Sequence, residues 1–171
     1  MGLLRSIKVL LYNQLRKHRW RIVRPLIAGD FETLLDVGCQ ELYFYEQIKD
    51  RLQVTLADFE PRDRLIEKAD VQNLPYADNA FDIVLCQQVL EHVYDPVKAI
   101  GQLQRVAAKR LIISVPYEPF FTLMRFLLWE KEHLWALTPA VLKHYLGRPV
   151  FEKKIVFRRY YVAAWDLNKG E

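Results

Sequence analysis

Four residues with chemical potential are clustered early in the chain. Asp36, Gly38 and Cys39 close a short apolar run (Thr33 to Val37), and Asp58 closes a second one (Val54 to Ala57). A glycine at the carboxyl end of a strand lets a ligand approach the backbone. An acid ending the next strand, twenty positions beyond Gly38, accepts hydrogen bonds from ribose hydroxyls. The chemistry so arranged is the binding of a nucleoside. A dinucleotide-dependent oxidoreductase is disfavoured, because the Gly-x-Gly-x-x-Gly spacing fails outright.

The elements that must position these residues alternate. Strands are expected near Thr33–Val37, Gln53–Asp58, Glu67–Asp70, Asp82–Cys86 and Arg110–Val115, and helices over Leu42–Arg51, Asp95–Ala107 and Pro139–Leu146. That order predicts an α/β fold: one doubly wound, mostly parallel sheet with helices on both faces. Asp95-Pro96 and Thr138-Pro139 each read as a cap followed by a proline at the first helical position, and Gly147 reads as a stop. The tail, Val150 to Leu167, is rich in β-branched and aromatic residues and predicts one or two antiparallel edge strands, turning near Lys153-Lys154 or Arg158-Arg159. At 171 residues the chain fits a single domain, 1–171, with a basic amphipathic helix over 1–28 and an α/β core over 30–171.

Three further segments extend the pattern: Ala69-Asp70-Val71, then Leu74 to Asp82 (LPYADNAFD), then Gln87 to Val93 (QQVLEHV) with Asp95-Pro96 behind it. In this order they resemble the class I S-adenosylmethionine-dependent methyltransferases, and most closely the branch acting on small molecules, lipids and glycans, including quinone-biosynthesis enzymes. The resemblance covers about Leu34 to Val115 and implies a Rossmann-like sheet with S-adenosylmethionine as cofactor. It places Asp36, Gly38 and Cys39 at the amino-acid end of the cofactor, Asp58 at the ribose, Phe59 beside the adenine, Asp70 and Val71 at the adenine edge, and Gln87 at the pocket floor.

The implied activity is methyl transfer to a small-molecule, lipid or glycan acceptor through an oxygen or carbon nucleophile. Cys86-Gln87-Gln88-Val89 replaces the Asn/Asp-Pro-Pro-Tyr element typical of enzymes that methylate base or glutamine nitrogens. Gln40 and Leu42 stand where such loops carry further glycines, which is a degraded glycine loop. Left-handed backbone there would cost about 1–2 kcal/mol, and the Gln40 amide would reach toward the methionine end. The alternative reading is therefore a catalytically inactive methyltransferase-like binding or scaffolding domain.

Tyr117, in an aromatic stretch with Phe120, Phe121, Phe126 and Trp129, and His133, in the following Glu130 to Trp135 segment, are the candidate acceptor-binding residues. His133 is also the candidate for taking a proton from an acceptor hydroxyl. Glu91 and His92 are read as residues fixing the first turn of a helix. No catalytic residue is assigned, since methyl transfer depends largely on positioning, and no metal site is expected. Cys39 and Cys86 predict no disulfide and fit a reducing, cytoplasmic setting.

The net charge of +4 is concentrated before Asp30, where seven basic residues meet no acid. Leu3, Ile7, Leu11 and Leu15 recur at helical spacing among them, predicting an amphipathic helix that does not span a bilayer. Peripheral contact with anionic lipid suits such a helix. Nucleic acid is the least favoured partner, because only Tyr12 and Trp20 offer stacking faces among the charges.

Overall fold

A computed structural model describes residues 2–40, 42–117, 133–155 and 160–167. Seven strands form one sheet: β1 (Thr33–Val37), β2 (Gln53–Asp58), β3 (Ile66–Lys68), β4 (Phe81–Gln87), β5 (Ala107–Pro116), β6 (Phe151–Ile155) and β7 (Tyr160–Asp166). Their spatial order is β3-β2-β1-β4-β5-β7-β6, so the winding direction reverses between β1 and β4. β1 to β5 pair in parallel, and β7 runs antiparallel to both β5 and β6. This is the expected architecture, with its antiparallel carboxyl-terminal edge.

The apolar runs of these strands follow from burial on both faces. Leu34, Ile83, Leu85, Ile112 and Val162 pack with Ile22 and Val23 of helix α1 (Gly2–Val23) and with Leu26 and Ile27 of the short 3₁₀ turn after it. Their sequence neighbours Leu35, Val84, Leu111, Ile113 and Ala163 point the other way. There they meet Ala99, Ile100 and Leu103 of helix α3 (Pro96–Val106) and Leu142 of helix α4 (Pro139–Leu146). A one-residue slip would exchange these faces, so the β4–β5 register that aligns Val84 with Leu111 is strongly specified.

Caps set the helix starts as expected. The Asp95 side chain accepts from the Lys98 N–H, and the Thr138 hydroxyl accepts from the Val141 N–H. Helix α2 is shorter than the predicted Leu42–Arg51, spanning Tyr45–Ile48, because Phe44 at its start supplies no side-chain cap for the orphan N–H groups. Glu67–Asp70 was too late for the third strand: Asp70 instead makes an isolated bridge with Asn73 in the turn beyond it. Lys153-Lys154 lies inside β6, and Ile155 pairs with Tyr160. The other expected turn position, Arg158-Arg159, falls outside the described residues. So do Phe120, Phe121, Phe126, Trp129 and Glu130 to Glu132, together with the side chains of Leu3, Ile7 and Leu11. Among the described residues no helix is long and apolar enough to cross a membrane.

Candidate functional site

A cleft of about 840 Å³ opens over the carboxyl ends of β1, β2 and β4, where the winding reverses. Asp36, Gly38, Cys39, Asp58, Phe59, Asp70, Val71 and Gln87 all line it. A second cavity of about 370 Å³, lined by Tyr117, Trp135, Leu137 and Lys154, shares Pro116 and His133 with the first.

The loop after β1 is tight for a local reason. Gly38 has φ +75°, and a Cβ on it would stand 2.1 Å from Cγ2 of Val89. Its N–H donates to the Ala57 carbonyl at 2.8 Å, tying the tip of β1 to β2. The left-handed conformation in this loop belongs to Gly38. Gln40 has no positive φ, so the left-handed strain expected of a degraded loop does not arise there. Gln40 is exposed and lines the cleft wall.

Asp36 is 4% exposed. Burial pushes its carboxyl up to about 7; the Arg19 guanidinium opposes this and the nearby Asp58 carboxylate adds to it. The Gln87 Oε1 atom is buried and accepts no hydrogen bond. The Gln87 amide oxygen, and the Asp36 carboxyl when ionised, are acceptors in the same cleft that an ammonium or other N–H-rich ligand group would satisfy. Asp58 receives the Glu60 N–H on Oδ1 at 2.8 Å as it leaves β2. Phe59, 62% exposed, offers an open ring face at the rim.

Asp70 is more committed: its carboxylate accepts the Gln72 N–H at 2.8 Å and the Gln72 side-chain amide at 3.1 and 3.3 Å. Its side chain thus already stabilises a turn. Cys39 and Cys86 are both buried free thiols. Burial raises the Cys39 thiol well above its ordinary range, and its Sγ faces the Ala57 carbonyl at 3.6 Å, so it is a packing residue, not a nucleophile.

Glu91 and His92 depart from their expected place. They lie in a turn before α3, not in the first turn of a helix. The Glu91 carbonyl accepts from the N–H groups of Leu134 (2.8 Å) and Trp135 (3.2 Å), and the Trp135 indole donates to the Val93 carbonyl at 2.8 Å. These bonds bring His133 against His92, with ring centroids 4.7 Å apart.

Sequence reasoning overlooked three contributors. Arg16 and Arg19 line the cleft, and the Arg16 guanidinium lies 4.4 Å over the Tyr43 ring. Their signal was present in the basic helix, but its charges read as a lipid-facing surface. Gln88 takes φ +56° just beyond β4, held by its N–H to the Ser114 carbonyl (2.8 Å) and its amide to the Ser114 hydroxyl (3.1 Å). No spacing rule flags such a residue.

Comparison with known proteins agrees with this geometry. A protein of Methanocaldococcus jannaschii named uncharacterized protein MJ0638 is 39% identical over 91 residues, 48% of this chain and 40% of that protein. The tRNA U34 carboxymethyltransferase of Nautilia profundicola is 24% identical over 102 residues, 50% of this chain and 34% of that enzyme. The matched region therefore spans less than half the length of these curated relatives. Among solved structures, an S-adenosylmethionine-dependent methyltransferase from Archaeoglobus fulgidus superposes with a TM-score of 0.68 at 19% identity, covering 90% of this chain and 94% of that one. Residues 35–113, which carry the cleft's strand ends, match the family of methyltransferase domains, and the chain has the Rossmann-like fold of S-adenosylmethionine-dependent methyltransferases.

Proposed function

We propose that the chain is an S-adenosylmethionine-dependent methyltransferase acting on a small-molecule, lipid or glycan acceptor, in the cytoplasm. The observation that carries this is that the buried Asp36 carboxyl, the orphan Gln87 Oε1 and the Gly38 turn all line one cleft. Both groups suit the ammonium of an amino-acid moiety, and Asp58, with one oxygen taken by Glu60, has another for a ribose diol. Phe59 would stack on the base, with Val71 and the turn built on Asp70 against its edge, and Gly38 and Cys39 would let the ligand approach the backbone. When bound, the cofactor supplies an electrophilic methyl on a sulfonium. The chain's own contribution is to orient an acceptor and keep water out.

The adjoining cavity supports a compact acceptor. Tyr117, Trp135 and Leu137 give it apolar walls, Lys154 a cationic edge, and His133 and Pro116 connect it with the cofactor cleft. RNA is the second reading, favoured by the tRNA-modifying relative and the basic amino-terminal segment. Peripheral binding to anionic membranes through that same segment would bring a lipid acceptor within reach.

The cofactor is tested by thermal melting with S-adenosylhomocysteine. At a hundredfold excess over its dissociation constant the ligand should stabilise the fold by about 2.7 kcal/mol. Asp58→Ala and Gln87→Leu should each diminish that shift. A wild-type protein that melts at the same temperature with and without ligand would leave only the inactive, scaffolding reading. Incubation with methyl-labelled cofactor and separate pools of lipid, glycan and tRNA then decides the acceptor. Label recovered in tRNA alone would replace the small-acceptor reading with the RNA one.

A further inference from the structure

Glu91, His92 and His133 form a second constellation in the wall of the same cleft. Their ligand-type atoms, one carboxylate oxygen and one nitrogen from each imidazole, all lie within 4.8 Å of one another. Glu91 is 1% exposed, whereas the imidazoles reach toward solvent, with the His92 side chain 37% exposed. All three line the cofactor cleft. We propose that they form a binding site for a divalent first-row transition-metal ion at the acceptor end of the cleft.

The donor set favours such an ion. Two imidazoles with one carboxylate suit zinc, iron, cobalt or nickel, whereas magnesium and calcium call for oxygen ligands. Three protein ligands leave coordination positions for an exogenous one, as in catalytic sites and unlike closed structural ones. The geometry lies within reach of ligation. His92 Nε2 is 4.0 Å from Glu91 Oε1, and a tetrahedral zinc shell needs ligand atoms about 3.4 Å apart. The remaining contraction is about 0.6 Å for that pair and at most about 1.4 Å for any other, within reach of rotation of the two partly exposed rings.

The backbone is organised for the same purpose. His133 comes from a segment forty-one residues beyond His92, and it is held in place by Leu134 and Trp135 donating to the Glu91 carbonyl and by the Trp135 indole donating to the Val93 carbonyl. Those bonds fix the chain on both sides of the cluster, as supporting contacts do around metal ligands. They also place His133 at the passage into the second cavity. Resting on the methyltransferase reading, the ion's role follows from its place: an acceptor hydroxyl that ligates it there releases its proton to solvent more readily, leaving a stronger nucleophile. The chemical class selected is then an acceptor with a hydroxyl, or a pair of neighbouring oxygens.

The test uses tag-free, chelator-treated full-length protein titrated with zinc chloride by calorimetry, and with cobalt(II) by visible absorption. One equivalent of each ion should bind, with a cobalt band in the visible region. His92→Ala and His133→Ala should each weaken binding by at least about 100-fold and abolish the band. His144→Ala, on the exposed side of α4, should leave both unchanged. Circular dichroism controls for folding; both substituted imidazoles lie outside the core, so the readout does not depend on a buried Glu91 variant. No wild-type binding at millimolar ion, or equal binding by the His92 and His133 variants, overturns the site. The titration requires no cofactor. Zinc binding without an S-adenosylhomocysteine melting shift would sink the methyltransferase reading and spare the metal site, and the reverse result would do the opposite.

Discussion

Asp82 and Asp36 occupy opposite ends of neighbouring parallel strands and have opposite surroundings. At the amino end of β4, Asp82 receives the Glu32 N–H at 2.7 Å and the Lys109 ammonium at 3.0 Å. Burial alone would raise its carboxyl, but these donors together hold it below the usual range. At the carboxyl end of β1, Asp36 is more deeply buried and raised to about 7. One acid stitches strands together. The other retains binding capacity at a cost in stability, as expected of a ligand site. The sheet is satisfied at one end and left open for chemistry at the other.

The sharpest way to break this contrast is to neutralise Asp36. Its folded-state carboxyl binds a proton more tightly than the unfolded one, whose ordinary value is 3.8. The contribution of Asp36 to wild-type stability should therefore fall as pH rises from about 4 toward 7 and hold that deficit above. Asp36→Asn removes the deficit, so urea unfolding should show the variant gaining on the order of 4 kcal/mol at pH 8 relative to its effect at pH 4. Equal effects at the two pH values would mean that Asp36 is ordinarily solvated.

Gly38→Ala should come next, costing about 2–5 kcal/mol from left-handed strain and the Val89 clash together. Adding Val89→Ala should recover part of the urea midpoint. No recovery would show that the close approach is unimportant. Asp82→Asn should cost about 1.5–3 kcal/mol at pH 7 and leave the S-adenosylhomocysteine shift intact. Because its folded carboxyl is depressed, that deficit should shrink as acid protonates the wild type, the opposite sign to Asp36. If Asp82→Asn abolished ligand binding, the two ends would not be functionally distinct. Smallest of all, Gln40→Gly should change stability by less than about 1 kcal/mol and leave ligand affinity unchanged, since Gln40 has no positive φ for glycine to relieve. A large gain in affinity would show that the glutamine amide obstructs the cleft.

Most of the strand core was legible before any coordinates. Thr33–Val37 and Gln53–Asp58 are reproduced residue for residue, because continuous apolar runs bounded by turn residues have few other uses in a chain this size. The proline-led helices were equally readable from their caps. Helix α2 was not: its shortness depends on a missing cap and on packing against β2, which apolar spacing does not report. The candidate site was half legible. Asp36, Gly38 and Asp58 were readable from their positions at strand ends, whereas the bonds from Gln72 that tie the Asp70 carboxylate into a turn were not.

The sequence by itself determined the alternation of strands and helices, the glycine turn, and the acids that end β1 and β2, because each follows from local backbone preference and strand-end placement. Tertiary structure alone decided the state of those groups. Burial, opposed by Arg19 and reinforced by Asp58, sets the protonation of Asp36, and contacts between Glu91 and the segment after His133 assembled a cluster from residues forty-one positions apart. The physical reason is range. Hydrogen-bond geometry within a turn is written in neighbouring residues, whereas desolvation and ligand convergence depend on which distant segments the packed sheet brings together.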